Sequence, residues 1–230
     1  MINSNLTILV ANDLYIKDPN SSELGKKILK EGLVLLDEMG LEDFTFKKLA
    51  LKIKTTESTI YRYFESKNQF LFYLFNYYWS WMEYNLHLCI TNLTSPKTKL
   101  RNVVKLLTKT LKNSEKTTFI NECILQRVLM LELSKTFLSK KVEEENKLGY
   151  FKQYKRFVNL LSEIVLEINP KYPYPHTIIS TLIESVFHQR FFAKHLPSLT
   201  DDLGKEDKLE DFFYQMTVQT IFNYNKNGKN

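Results

Sequence analysis

The side chains best suited to binding a ligand are concentrated between residues 44 and 67. Six cations and two carboxylates give this segment a net charge of +4, most of the +6 of the whole chain. The cations are Lys47, Lys48, Lys52, Lys54, Arg62 and Lys67. The hydroxyls interleaved with them belong to Thr56, Ser58, Thr59, Tyr61 and Tyr63. These residue types contact nucleic-acid phosphates, although a basic run is also common on an ordinary solvated surface.

The apolar pattern of the same segment predicts two short helices. Apolar residues recur at i, i+3, i+4 and i+7 from Phe46 to Ile53, which defines one face of a helix. Thr45 stands where it can cap the free N–H groups of that helix. The next two residues interrupt the pattern, and Thr56 can cap a second helix. Two short helices joined by a tight turn form a helix-turn-helix, whose second helix lies in the major groove of DNA.

The segment and its flanks resemble the DNA-binding domain of the tetracycline-repressor (TetR) family of bacterial transcription regulators. The similar stretches are ILKEGLVLLDEMGLEDFT at residues 28–45 and TIYRYFESKNQFL at residues 59–71. The resemblance covers roughly residues 24–75, about a quarter of the chain. Its most specific positions are Gly40, Thr45, Leu49, Ala50, Thr59, Ile60, Tyr61, Tyr63, Phe64, Ser66 and Lys67.

The resemblance implies a cytoplasmic, homodimeric regulator that binds double-stranded DNA and is released by a small ligand. It implies DNA contacts by Thr45, Lys47, Lys48, Thr56, Glu57, Ser58, Thr59, Tyr61, Arg62, Tyr63 and Lys67. The residues expected to hold phosphates are Thr45, Thr56, Thr59, Tyr63 and Lys67. Those expected to face base edges are Lys47, Glu57, Ser58 and Tyr61. Two copies would place two recognition helices in successive major grooves.

The chain departs from the family pattern at four positions. Lys54 occupies the turn position where the family usually has glycine, and a lysine with positive φ costs of order 1 kcal/mol. Thr55 replaces the usual valine, and Gly32 replaces a common alanine. Glu57 opens the second helix with an acid, which would face phosphates unless it accepts from a cytosine amine. These departures bear on the operator sequence and the affinity more than on the fold.

Composition and periodicity predict an all-α fold. The 230 residues include only 6 Gly and 6 Pro, which favours long helices over a turn-rich β fold. After residue 66, the pattern predicts helices at about 67–91, from 96, and at 117–133, 139–168, 176–196 and 206–224. We therefore expect nine or ten helices, with a helix-turn-helix head at 22–68 and a ligand-binding and dimerisation body at 69–224. Residues 1–21 form an extension that could be an arm, a helix or a packing strap, and residues 225–230 a disordered tail.

The apolar stretch at residues 70–90 is long enough to suggest a membrane span, since about 20 apolar residues cross a bilayer. Polar residues interrupt it, including Asn76, Glu83 and His87, so we expect a helix sandwiched inside a soluble protein. No secretory signal is visible at the N-terminus, which favours the cytoplasm. Cys89 and Cys123 have no metal-site or disulfide spacing and are expected to be buried thiols.

The motifs of common enzyme classes are missing from the sequence, so no catalytic activity and no cofactor are expected. There is no P-loop, GxGxxG, HExxH or GxSxG. Glu184, His188 and His195 share one helical face that a metal site could use, but a polar contact within the helix is the commoner explanation. We therefore predict no metal.

Aromatic residues in the second half could line a cavity for an apolar or aromatic ligand. The candidates are Trp81, Tyr84, Phe119, Tyr150 and Tyr154, although core packing would explain each one alone. The last two predicted helices have broad apolar faces, expected to meet a second copy through Leu182, Val186, Phe187, Phe213 and Met216. A helical protein–protein module that kept the fold and lost its operator is the main alternative. A small-molecule enzyme is a further one, and it would require detectable turnover.

Overall fold

The chain is all-helical wherever its structure is described. The computed structural model describes residues 8–109, 119–201 and 206–224, without the side chains of residues 133–136 and 206–207. These ranges contain ten α-helices and no strand. They are α1 (Glu23–Asp43), α2 (Phe46–Ile53), α3 (Glu57–Tyr61), α4 (Lys67–Ile90), α5 (Pro96–Thr108), α6 (Glu122–Phe137), α7 (Val142–Lys147), α8 (Lys152–Ile168), α9 (Pro175–His195) and α10 (Glu206–Asn223). The predicted fold class is confirmed, while the predicted tail at 225–230 lies outside the described residues.

The helices belong to two compact units. The first comprises Met1–Trp81 and Leu111–Tyr154, and the second comprises Met82–Thr110 and Lys155–Asn230. This division does not follow the predicted boundary between residues 68 and 69, because α4 packs directly onto the helix-turn-helix. The Phe70 ring lies 5.1 Å from the Phe64 ring and 5.6 Å from the Phe44 ring. The head and the first part of α4 therefore share one aromatic core.

A glycine ends the regular part of α1, as the sequence predicts. Gly40 has φ 72° and ψ 170°, a conformation that glycine adopts without the penalty a Cβ would bring. A second glycine, Gly32, lies on the buried face of α1. A Cβ at Gly32 would stand 2.5 Å from the Phe70 ring, so glycine here allows α1 and α4 to approach closely.

Helix α4 is buried on all sides over three turns. Every residue from Gln69 to Trp79 is buried, including the amide of Asn76. Asn76 donates to the carbonyl oxygens of Phe72 and Tyr150 at 2.9 and 2.8 Å, which satisfies a polar group inside an apolar helix. None of the helices in the described ranges is long and apolar enough to cross a membrane.

The described part of the N-terminal extension packs onto the first unit. Ile8 and Leu14 are buried, and the Ile16 N–H donates to the Tyr63 carbonyl at 2.8 Å. Asn20 donates to the Tyr73 hydroxyl at 2.9 Å. Of the three forms considered for this extension, residues 8–21 take that of a packing strap, and residues 1–7 lie outside the described part of the chain.

Two predicted helices have different bounds in the structure. The single helix expected at 139–168 is broken into α7 and α8, and the break contains Gly149 with φ 83°. The helix expected from residue 117 begins instead at Glu122, where the Asn121 side chain accepts the N–H groups of Cys123 and Ile124. The cap formed by Asn121 thus sets the start of this helix, although the apolar pattern of the sequence begins before it. Residues 117 and 118 lie outside the described ranges.

In the second unit, α5 packs against α10 through ion pairs and an apolar core. The Arg101 guanidinium lies 3.4 Å from Glu210 and 3.0 Å from Asp211, while Val103 and Phe213 are buried. Ser95 caps the start of α5, accepting the Thr98 N–H at 3.4 Å.

The residues predicted for the dimer interface are mostly core residues of this same unit. Leu182, Val186, Phe187 and Phe213 are at most 7% exposed, and Met216 is half-buried. Their burial therefore needs no second copy, which corrects the reason given for choosing them. Exposed apolar or aromatic side chains on and beside α9 and α10 include Tyr174, Leu196, Leu199, Phe212, Phe222 and Tyr224.

Candidate nucleic-acid interface

The two predicted helices of the helix-turn-helix are present as α2 and α3. Thr45 caps α2, accepting the Lys48 N–H at 3.2 Å. The end of α2 is closed by two hydrogen bonds, from Lys54 N–H to the Leu51 carbonyl at 3.3 Å and from Thr55 N–H to the Ala50 carbonyl at 2.9 Å. This pair of bonds is a Schellman motif, which reverses the chain after a helix. The turn therefore fixes the direction in which α3 starts.

The start of α3 presents a cluster of hydroxyls. The Thr56 hydroxyl lies 2.9 Å from that of Ser58 and 2.8 Å from that of Thr59. Thr56 has the backbone of an N-cap, but its side chain caps no N–H group, because it bonds to these hydroxyls instead. Thr56 and Ser58 are exposed, so the cluster can donate to or accept from a partner outside the chain.

Helix α3 is held against α2 by an aromatic contact. The Tyr61 ring meets the Phe46 ring edge-on at 5.1 Å, and Tyr61 remains 46% exposed. The neighbouring Ile60 is fully buried. Glu57 is half-buried and Arg62 is exposed. The recognition face of α3 is thus a short polar surface fixed to a rigid apolar base.

Three of the six cations in the segment are occupied by protein partners. The Lys48 ammonium donates to the Asp43 carbonyl at 2.7 Å. The Lys52 ammonium lies 3.9 and 3.6 Å from carboxylate oxygens of Glu31 and Glu38. The Lys67 ammonium donates to the carbonyls of Leu41, Glu42 and Phe44 at 2.8, 3.0 and 3.3 Å.

The other three cations are free to meet an external anion. Lys47, Lys54 and Arg62 are exposed, and within the described residues they have no ion-pair partner. They follow one another along α2, the turn and the end of α3. The local positive charge available to a ligand is therefore carried by these three side chains and not by all six.

Tyr63 and Lys67, both expected at phosphates, have structural partners. Tyr63 is only 3% exposed, and its hydroxyl lies 2.8 Å from that of Ser22 at the start of α1. Lys67 ties the start of α4 to the corner between α1 and α2. Both groups are thus engaged within the head and not free for DNA phosphates.

Comparison with known proteins agrees with this geometry. Residues 28–74 match the family model of bacterial regulatory proteins, tetR family. The N-terminal domain belongs to the TetR family. No curated protein matches the chain.

Solved structures share the TetR-family fold along most of the chain. AibR, in complex with isovaleryl coenzyme A and operator DNA, aligns with a TM-score of 0.59 at 16% identity over 83% of this chain and 97% of that one. FadR, a fatty acid degradation regulator from Bacillus halodurans, aligns with a TM-score of 0.60 at 17% identity over 91% of this chain and 96% of that one. The superantigen PfiT aligns with a TM-score of 0.60 at 13% identity over 87% of this chain and 97% of that one. Identities this low show a common fold and nothing more.

The aromatic residues predicted to line a ligand pocket fall in both units of the chain. Trp81, Phe119, Tyr150 and Tyr154 lie in the first unit and Tyr84 in the second. Tyr154 packs on Trp79 at 4.5 Å, and Tyr150 packs on Phe72 at 4.7 Å. Tyr84 is 41% exposed. Tyr150 and Tyr154 thus have packing roles, and a ligand role for the set stays a prediction.

The histidine face considered for a metal makes other contacts. His188 Nδ1 lies 2.9 Å from the backbone oxygen of Glu184, and the His195 ring packs on Phe191 at 4.7 Å. Within the described ranges, no group of three or more His, Cys, Asp or Glu side chains could hold a metal ion.

The sequence did not indicate which cations of residues 44–67 have partners within the protein. The partners of Lys52 lie on α1, and those of Lys67 lie at the end of α1 and at Phe44, all of them more than ten residues away in sequence. No local pattern signals such contacts. The role of Tyr63 as an anchor was also missed, although its position beside the buried Phe64 was a usable signal.

Proposed function

We propose that this chain is a cytoplasmic, ligand-responsive transcription regulator that binds an operator in double-stranded DNA as a homodimer, most simply as a repressor. The observation that carries the proposal is the α2–α3 surface. It joins exposed and unpaired Lys47 and Arg62 to the hydroxyl cluster at Thr56, on a rigid helix-turn-helix. The proposal assigns the chain no catalytic step and no cofactor.

The proposed DNA contacts follow from exposure. Arg62 and the hydroxyls of Thr45, Thr56 and Thr59 would contact phosphates. Lys47, expected from the sequence to face a base edge, is now proposed as a phosphate contact because it lies on α2 and not on the recognition helix. Glu57, Ser58 and Tyr61 project from the short recognition helix and would face base edges, where a glutamate can accept from a cytosine amine. Lys48 would contribute only if it left the Asp43 carbonyl. Phosphate contacts set the affinity and orientation, and base contacts set the sequence.

The small size of the recognition helix favours a homodimer. Helix α3 has five residues, which cannot read a long site alone. A two-fold dimer reads two half-sites about 34–36 Å apart, and each copy uses the same surface. The exposed Phe212 and Phe222 on α10 are available for such an interface.

Ligand control would act by favouring one arrangement of the two heads. AibR was solved with both a coenzyme A thioester and operator DNA, which supports a two-ligand mechanism for this fold. In this chain the aromatic set around Trp81 and Tyr154 would take a small apolar or aromatic molecule. A ligand that favours the released arrangement weakens DNA binding by its differential affinity, typically about 1–3 kcal/mol.

The test compares DNA binding of the wild type with that of the Lys47→Ala/Arg62→Ala double variant. Each lost phosphate contact lowers the slope of log K against log salt by about 0.9, so the double variant should lose about 2 units per bound chain. Lys105→Ala, which removes an exposed lysine from α5 in the second unit, should leave the slope unchanged. A wild type that binds no duplex selected from a random pool would favour the protein–protein alternative.

A further inference from the structure

One residue of the turn before the recognition helix has an unusual backbone. Lys54 has φ 58° and ψ 53°, in the left-handed region that disfavours a side chain with a Cβ. Among the non-glycine residues that the structure describes, only Asn92 shares a positive φ, and asparagine tolerates it well. Lysine at this position therefore carries a steric cost that glycine would avoid.

No contact among the described residues offsets that cost. The hydrogen bonds of the turn are made by backbone atoms of residues 50, 51, 54 and 55, and glycine would make them equally well. The Lys54 side chain is exposed, and it has no hydrogen bond or ion pair among the described residues. The nearby Glu57 is not its ion-pair partner. A strained residue that the fold does not need points to a function outside the fold.

The position of Lys54 indicates what that function is. It precedes Thr56, the first residue of the recognition element, by two residues, a separation of at most about 7 Å. The major groove that admits such a helix is about 12 Å wide and is bordered by phosphates. A lysine side chain at the turn can therefore reach the phosphates beside the groove, and the Schellman motif holds its backbone in place before binding.

We propose that Lys54 is a phosphate-binding residue of the DNA interface, a cation added at a position where glycine would serve the fold better. This inference rests on the proposed function. Lys47, Lys54 and Arg62 then supply three cations in succession, from α2 through the turn to the end of α3. Lysine at this position lowers the stability of the fold and raises the affinity for DNA. Replacing it with glycine should therefore raise the stability and lower the affinity.

The experiment measures both effects in Lys54→Gly. The Tm of the variant should equal that of the wild type or exceed it by up to about 4 °C, because the steric strain is removed. Its affinity for a duplex that the wild type selects from a random pool should fall by roughly 5–10-fold per bound chain at 0.1 M salt, and the salt slope by about one unit per bound chain. Lys54→Asn should lose the same affinity, while Lys54→Arg should keep it.

Two matched controls separate charge from strain. Asn92→Gly relieves a positive φ without changing the charge, so it should leave the salt slope unaltered. Lys105→Gln removes an exposed lysine from the other unit and should also leave it unaltered. If the wild type binds the duplex and Lys54→Gly binds with the same affinity and slope, the inference is overturned and the proposed function stands. If the wild type binds no duplex, both fall.

Discussion

The lysines between residues 44 and 67 have two different roles: some contact other parts of the protein, and others are exposed and available to a ligand. Lys67 is the clearest example of the first role. Its ammonium donates to three carbonyl oxygens at the corner between α1 and α2, at 2.8–3.3 Å. Hydrogen bonds to a charged group contribute more to stability than those between neutral groups. The Lys67 side chain is only half-buried, so its contribution is reduced by contact with water. We expect Lys67→Ala to lower the free energy of unfolding by about 1–2 kcal/mol. Urea denaturation measures it.

The matched control is Lys47→Ala. Lys47 is exposed and without a partner in the described part of the chain, so its removal should change stability by no more than about 0.5 kcal/mol. Equal unfolding free energies for Lys67→Ala and Lys47→Ala would show that the hydrogen bonds of Lys67 do not stabilise the fold in solution.

A buried carboxyl gives the chain a pH dependence that one substitution can isolate. Glu145 is 9% exposed, and its Oε2 has no hydrogen-bond partner in the described structure. Burial raises the pKa of this carboxyl above its usual value of 4.5. Because the folded state then holds the proton more tightly, this group stabilises the fold below the unfolded pKa, and the contribution is lost as the pH rises through the folded pKa.

Glu145→Gln should therefore have a higher Tm than the wild type at pH 7, with the difference vanishing below about pH 4. Thermal unfolding across that range measures it. A variant less stable than the wild type at neutral pH would mean that the ionised carboxylate has a favourable partner.

At the scale of elements, the strap at residues 8–21 supports the end of the recognition helix. Its Ile16 N–H bonds the Tyr63 carbonyl, and its Pro19 lies against α1. A Cβ at Gly25 would stand 2.2 Å from the Pro19 backbone oxygen, and a backbone atom cannot yield as a side chain can. We expect Gly25→Ala to displace the strap and to lower stability by about 1–3 kcal/mol.

Limited proteolysis and urea denaturation check this prediction. The displaced strap should be cut faster between residues 8 and 21, and DNA binding should weaken because Tyr63 loses a contact. Lys30→Ala, an exposed change on the same helix, is the control. Unchanged protease resistance in Gly25→Ala would show that the strap does not depend on this contact.

The elements that could be predicted are those whose signals are local. Thr45, Ser66 and Ser95 each accept an N–H at the start of a helix, and a serine or threonine just before a helix is a local signal for such a cap. The break at Gly149 was missed because apolar residues continue on both sides of it. The division of the cations was missed because Lys52 and Lys67 find partners that only the folded chain brings near. The αL backbone of Lys54, by contrast, follows from the glycine position it occupies in the family pattern.

At the scale of the whole molecule, the dimer prediction now rests on different residues. Leu182 has no exposed surface, whereas Phe212 on α10 is 52% exposed. We expect the wild type to sediment at micromolar concentration as a species of twice the 27.3-kDa chain mass. Phe212→Lys should shift it towards single chains that stay folded, since a charge at an apolar interface is not accommodated. Leu182→Lys should unfold the chain instead.

Sedimentation equilibrium with circular dichroism separates these outcomes. A wild type found only at the mass of one chain would contradict the dimer and the two-headed reading of DNA. A folded Phe212→Lys dimer would place the interface elsewhere on the surface.

The most direct test of the central claim is the salt dependence of DNA binding by the wild-type protein. Three free cations per chain, in two chains, predict a slope of log K against log salt of about −5. Affinity for a duplex selected from a random pool should then fall about 10³-fold between 50 and 200 mM salt. Binding that does not change over this range, or no binding at 50 mM, would contradict the claim that α2, the turn and α3 form a DNA-binding surface.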